Sequence, residues 1–176
     1  TFPSSLTHIG KFAFWWCRGL TSIRFPNSLT HIGESAFGDC DGLTSITFPN
    51  SLTHIGEFAV ASTGITSLTI PPKVKYLYWQ TFIHCTKLRE IIILGKNTKL
   101  NFLTMEGSFS SEFTNLEKVI MPEDMNKESK KQVPQKLRKF FKNANKQALV
   151  NNEDSSDDDQ AIKFNISKRK MKPSHN

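Results

Sequence analysis

The chain has 176 residues with 23 Lys and Arg against 16 Asp and Glu, and the seven-charge excess is unevenly placed. Residues 1–125 hold ten basic and ten acidic side chains and the remaining 51 hold thirteen and six, so the basic pI describes the tail and says nothing about the folded surface. No run of 18 apolar residues spans a membrane, and three cysteines without a CxxC pair argue against both a disulfide framework and a zinc module.

The chain opens on Thr1-Phe2-Pro3, which reads as the end of a further repeat, so the place where a signal peptide would sit is not visible. From Ser4 the residues fall into rows of 23: SSLTHIGKFAFWWCRGLTSIRFP, then NSLTHIGESAFGDCDGLTSITFP, then NSLTHIGEFAVASTGITSLTIP, which is one residue short. A fourth row, PKVKYLYWQTFIHCTKLREIIIL, keeps the spacing, and a fifth, broken by an insertion near residues 95–108, ends in GSFSSEFTNLEKVIMP. A period of this length predicts a solenoid.

Within each row an L-x-x-I-x-F spacing predicts a strand: Leu20, Ile23 and Phe25; Leu43, Ile46 and Phe48; Ile65, Leu68 and Ile70; Leu88, Ile91 and Ile93; Leu116, Val119 and Met121. Alternate strand residues face opposite ways, so the second and third apolar positions point inward. Pro26, Pro49 and Pro71 follow these strands and help end them. A second apolar set, Leu29, Ile32, Ala36, Phe37 and Cys40, returns the chain along the other wall as a short irregular or helical stretch. It recurs as Leu6, Ile9, Ala13, Phe14 and Cys17, and as Leu52, Ile55, Ala59 and Val60. No row buries these residues alone, and about three stacked coils are needed. Gly10, Gly33 and Gly56 are read as allowing the turn after each SLTHI segment.

The joint pattern P-x-S-L-T-x-I-G-x-x-A-F-x-x-C-x-x-L-T-S-I-x-F resembles the BspA-type leucine-rich repeat, strongly over residues 1–94 and weakly over 95–122. That resemblance implies a repeat solenoid with short parallel strands on one face and a non-catalytic protein-binding surface, several members acting as adhesins. The residues themselves show no nucleophile elbow, glycine-rich phosphate loop or HExxH, so no enzyme and no cofactor are expected.

Several side chains invite a functional reading. His8, His31 and His54 recur in one column, so stacking places them about 5 Å apart and lowers their pKa values modestly. His31 and Glu34 align with His54 and Glu57 as potential metal ligands, but Lys11 replaces the glutamate in the first row, and repeat duplication is the preferred reading. Cys17, Cys40 and Cys85 lie between core positions and read as small buried hydrophobes, with Ser62 or Thr63 in that place in the third row. Outward strand residues form the natural ligand surface: Ser22 and Arg24, Ser45 and Thr47, Ser67 and Thr69, Glu90 and Ile92, Lys118 and Ile120. Trp15 and Trp16 align with Gly38 and Asp39 of the next row, which reads as an exposed turn. They are either a binding hot spot or a cover for a flank or an upstream repeat.

Three segments follow: a solenoid over 1–125, a basic amphipathic helical segment over 127–150, and a disordered acidic-then-basic tail over 151–176. Val133, Leu137, Phe140, Phe141, Ala144 and Ala148 give the helical segment an apolar face, with Pro134 in its first turn. It either caps the solenoid or meets an anionic membrane, a nucleic acid or an acidic protein partner. In the tail, Ser155 and Ser156 each precede an Asp by three residues, as in acidophilic kinase substrates. Lys168, Arg169, Lys170 and Lys172 resemble a nuclear-localisation cluster, whereas Asn165-Ile166-Ser167 is a sequon only if extracellular. The tail and unpaired cysteines favour an intracellular, cytoplasmic or nuclear, eukaryotic scaffold; the family resemblance favours a surface adhesin; the basic tail favours nucleic-acid or anionic-lipid binding.

Overall fold

The computed structural model describes residues 2–101, 115–125, 127–131 and 133, and the backbone of 141–143. The insertion after residue 101 and the tail from residue 144, with Ser155, Ser156 and the Lys168–Lys172 cluster, lie outside the described residues. Two columns of short parallel strands wind into a β-solenoid of about four turns. One column holds β2 (Ser22–Arg24), β4 (Ser45–Thr47), β6 (Ser67–Ile70), β8 (Glu90–Ile93) and β10 (Lys118–Met121). The other holds β1 (His8–Ile9), β3 (His31–Ile32), β5 (His54–Ile55), β7 (Tyr76–Tyr78) and β9 (Lys99–Asn101).

Register follows the repeat. Ile23 stands opposite Ile46, Leu68 opposite Ile91, and Ile91 opposite Val119, so like side chains stack on like. The ladder breaks between β4 and β6 and between β5 and β7. Both breaks span the single residue missing from the third row.

The expected irregular wall has a regular logic of its own. Backbone N–H groups of Phe12, Phe14 and Trp16 donate to the carbonyls of Glu34, Ala36 and Gly38, and those of Ser35, Phe37 and Asp39 donate to Glu57, Ala59 and Ala61. Phe58, Val60 and Ser62 continue the series to Gln80, Thr81 and Ile83, beside a short 3-10 helix at Trp79–Phe82. To aim alternate N–H groups along the stack, two residues per coil take left-handed backbone: Phe12 and Trp16, Ser35 and Asp39, Phe58 and Ser62. None is glycine, and such a residue costs about 1–3 kcal/mol unless its surroundings fix it. Here the hydrogen bonds to the following coil fix it.

The core is the set of apolar columns. Leu29, Ile32, Ala36, Phe37 and Cys40 are all buried, as are Leu52, Ile55, Ala59 and Val60. Phe14 stacks on Phe37 with ring centroids 5.2 Å apart, and Phe25 on Phe48 at 6.0 Å. Cys40 donates its thiol hydrogen to the carbonyl of Phe14 at 3.1 Å and Cys85 to that of Val60 at 3.1 Å. Burial pushes both thiols up. Thr63 occupies the cysteine position in the third coil, with its hydroxyl on Val60 O. Cys17 departs from the expectation: it is exposed, because among the described residues no earlier coil lies over it.

The glycines also depart from it. Gly33 and Gly56 have no left-handed φ; a Cβ on Gly33 would stand 2.7 Å from backbone atoms of Gly10 and Lys11, and one on Gly56 2.5 Å from the nitrogen of Glu34. Their role is close approach to the preceding coil. A Cβ on Gly10 would meet nothing within 4 Å.

At the other end, Met125 and Val133 join the core, and Ser129 of α1 (Lys127–Lys131) donates to the carbonyl of Thr98 at 3.1 Å. A single helix over 127–150 is not what forms. Phe141–Asn143 is β11, which pairs parallel with β10, Val119 opposite Phe141. A strand supplies ladder partners to the outer edge of β10, which a helix packed there leaves unpaired. Position 141 therefore adds a further strand at the edge of that sheet.

The repeated glycines carry an internal control. Gly33→Ala and Gly56→Ala are expected to destabilise the protein by about 1–3 kcal/mol through overpacking against backbone, and Gly10→Ala by far less. Urea melts of the three variants check this; an equal loss at all three positions contradicts it.

Candidate interaction surface

The outward positions of the first strand column are brought together as a continuous face, but they are not equally open. Ser22, Arg24, Ser45, Thr47 and Ser67 are exposed, Thr69 and Glu90 half-buried, and Ile92 is 3% exposed. Ile92 is thus a correction to the expected ligand surface. It lies in register between Thr69 and Ile120, two β-branched neighbours at strand spacing, and its own strand is flanked on both sides. Glu90 is engaged beside it: Lys118 Nζ stands 2.5 Å from its Oε1, with the two side chains 32% and 17% exposed. The free face belongs to the first three coils.

The tryptophans sit on the return wall, where the backbone turns outward at left-handed Phe12 and Trp16. Trp15 and Trp16 are half exposed, and so is Phe12, with Phe58 at 37%. Phe12 packs edge-on against Trp15 at 6.3 Å, and Trp15 leans on Trp16 at 5.8 Å. Trp15 is held by two features of the second coil. Its Cδ1 stands 3.3 Å from where a Cβ on Gly38 would be, and its Nε1 donates to Asp39 Oδ2 at 2.8 Å. Arg18 places its guanidinium carbon 3.8 Å from the Trp16 ring centroid and lies 4.0 Å from Asp41.

Phe12 and Phe58 escaped the sequence reading. They share one column with Ser35, which is buried, so a small residue of the second coil lies between aromatic residues of the first and third, while Gly38 stands against Trp15. The signal was present as large-small-large down a column outside the core. Such a cluster is fixed in place before any partner arrives.

The histidine column forms as expected from the repeat. His8 and His31 stack with ring centroids 4.3 Å apart and 9° between planes; His31 and His54 at 4.2 Å and 10°. Each Nδ1 is within hydrogen-bond distance of the preceding threonine hydroxyl: Thr7 at 2.8 Å, Thr30 at 2.7 Å and Thr53 at 2.8 Å. Burial, then the rings of His54 and His8, then Lys75, hold His31 below the usual imidazole value. His31, Glu34, His54 and Glu57 do not converge: among the described residues no group of three or more His, Cys, Asp or Glu is placed to hold a metal. Glu34 is instead paired with Lys11 at 2.8 Å. No helix among the described residues is long and apolar enough to cross a membrane.

Comparison with known proteins places this geometry. The family model for the BspA type leucine rich repeat region matches residues 7–133 in six copies. A crystal structure of a leucine-rich repeat protein from Bacteroides ovatus ATCC 8483 is similar, with a TM-score of 0.60 and 27% identity. The likeness covers 71% of this chain and 31% of that one, so the chain spans under a third of its neighbour's length. No curated protein matches.

The depressed His31 value gives a signed pH dependence. The unfolded chain takes up the proton first, so this stabilisation is complete above about pH 6.5 and is lost as pH falls below it toward the folded value. Thermal melts in chelator-containing buffer should show a lower Tm at pH 5 than at pH 7.5, with a smaller difference in His31→Gln; an unchanged difference contradicts this.

Proposed function

Because the chain belongs to the BspA-type leucine-rich-repeat family, we propose that it is a non-catalytic protein-binding scaffold. The observation that carries this reading is the aromatic cluster of Phe12, Trp15 and Trp16, half exposed yet fastened to the second coil through Gly38 and Asp39. Large aromatic side chains left in water at a fixed position lose little conformational freedom on binding, and tryptophan and arginine are enriched at hot spots. The open hydroxyl face of Ser22, Ser45, Thr47 and Ser67 adds a second surface, of the kind stacked repeats offer to macromolecules. Three unpaired thiols support an intracellular setting for the scaffold.

The experiment is partner capture with the purified protein as bait, followed by affinity measurement on the captured partner. Trp15→Ser with Trp16→Ser should keep the far-UV spectrum and weaken binding at least about thirty-fold, the consequence of losing a hot spot of about 2 kcal/mol. Thr47→Arg on the strand face tests the second surface. Capture unchanged in both variants removes this reading.

A further inference from the structure

The charges around the aromatic cluster are unbalanced. Over the first three coils the return wall, residues 10–19, 33–42 and 56–64, carries the bases Lys11 and Arg18 against the acids Glu34, Asp39, Asp41 and Glu57. Lys11 lies 2.8 Å from Glu34, and Arg18 lies 4.0 Å from Asp41. Among the described residues no cation pairs with the other two acids. Asp39 accepts the indole N–H of Trp15 at 2.8 Å, a neutral donor that leaves the carboxylate without a counter-ion. Glu57 continues the column of Lys11 and Glu34 and is exposed next to the exposed ring of Phe58.

The wall holds one cation of its own, and its setting shows what the wall accepts. The guanidinium carbon of Arg18 stands 3.8 Å from the Trp16 ring centroid, and its Nε stands 4.0 Å from Asp41, so an indole ring and a carboxylate share it. A planar guanidinium suits such a place better than an ammonium. It stacks on the electron-rich face of the ring and still presents N–H donors to the acid at its rim, whereas an ammonium is a compact, strongly hydrated charge. The same combination of ring and acid recurs at Trp15 with Asp39, where Phe12 stands edge-on, and at Phe58 with Glu57. Among the described residues no cation lies over Phe12, Trp15 or Phe58.

We infer that the aromatic cluster is a docking surface for an arginine-bearing basic segment of a protein partner, whose guanidinium groups lie against Trp15 and Phe58 and pair with Asp39 and Glu57. This rests on the reading of the cluster as a protein-binding surface and names the chemistry of what binds there. A neutral or acidic segment laid on these rings desolvates both carboxylates and gives them no counter-ion; an arginine segment supplies one to each.

Fluorescence anisotropy with labelled nona-arginine, nona-lysine and nona-glutamate peptides and the full chain, at about 150 mM salt, tests this. Nona-arginine should bind at least about threefold tighter than nona-lysine, and nona-glutamate should not bind. Asp39→Asn keeps an oxygen for the Trp15 N–H while removing the charge, and with Glu57→Gln it should weaken nona-arginine about tenfold. Trp15→Ser with Trp16→Ser should weaken it by a similar factor. Glu123→Gln, which removes an exposed acid from the turn after β10, should leave it unchanged and so separates this wall from attraction to any carboxylate. No binding of nona-arginine, equal affinity for nona-lysine, an equal loss in Glu123→Gln, or no loss in Asp39→Asn/Glu57→Gln overturns the inference. The captured partner separates it from the broader reading: binding lost with both tryptophans but unchanged in Asp39→Asn/Glu57→Gln keeps the protein-binding surface and overturns the basic partner.

Discussion

No coil of this chain has enough apolar surface to hold itself closed, so every residue depends on a coil above or below it. The dependence is visible in the direction of the hydrogen bonds. On the strand column of the histidines each coil donates to its predecessor, as Gly33 does to Ile9 and Gly56 to Ile32, while on the return wall each donates to its successor. A coil is thus tied in both senses. Breaking one contact exposes edges on two coils, which is why the stack, rather than the single repeat, is the unit of stability.

The same constraint places the functional groups. Parallel in-register pairing puts like residues side by side at strand spacing, so any side chain written into the repeat becomes a column. Three histidines become a stacked set of rings, the hydroxyls of Ser22, Ser45, Thr47 and Ser67 become an open face, and the aromatic cluster arises where the first coil departs from the second at Trp15 and Trp16. Function in such an architecture is read from the columns and from the places where a column is broken.

Much of this was legible in the residues. The Leu20, Ile23 and Phe25 spacing and its copies locate the strands, the SLTHIG copies locate the histidine stack, and the mismatch of Trp15 and Trp16 with Gly38 and Asp39 locates the exposed aromatics. What was not legible depends on neighbours rather than on position in the row. Cys17 carries the same local pattern as Cys40, and only the absence of a described earlier coil over it exposes it. Ile92 alternates correctly for an outward residue and is covered by the residues flanking it. Gly33 reads as a turn residue in its row, whereas the distance to Gly10 and Lys11 decides its identity. Phe141 fits a helical face in the sequence and joins a strand because β10 offers it an edge.

Native-state hydrogen exchange tests the mutual dependence of the coils most directly. The account predicts that the return-wall amides of Phe14, Phe37 and Val60, which donate to the next coil, are protected to the same free energy as the amides of the paired strands β4 and β8, as one cooperative unit. Return-wall amides exchanging as fast as those of exposed turns, with the strands still protected, would contradict it.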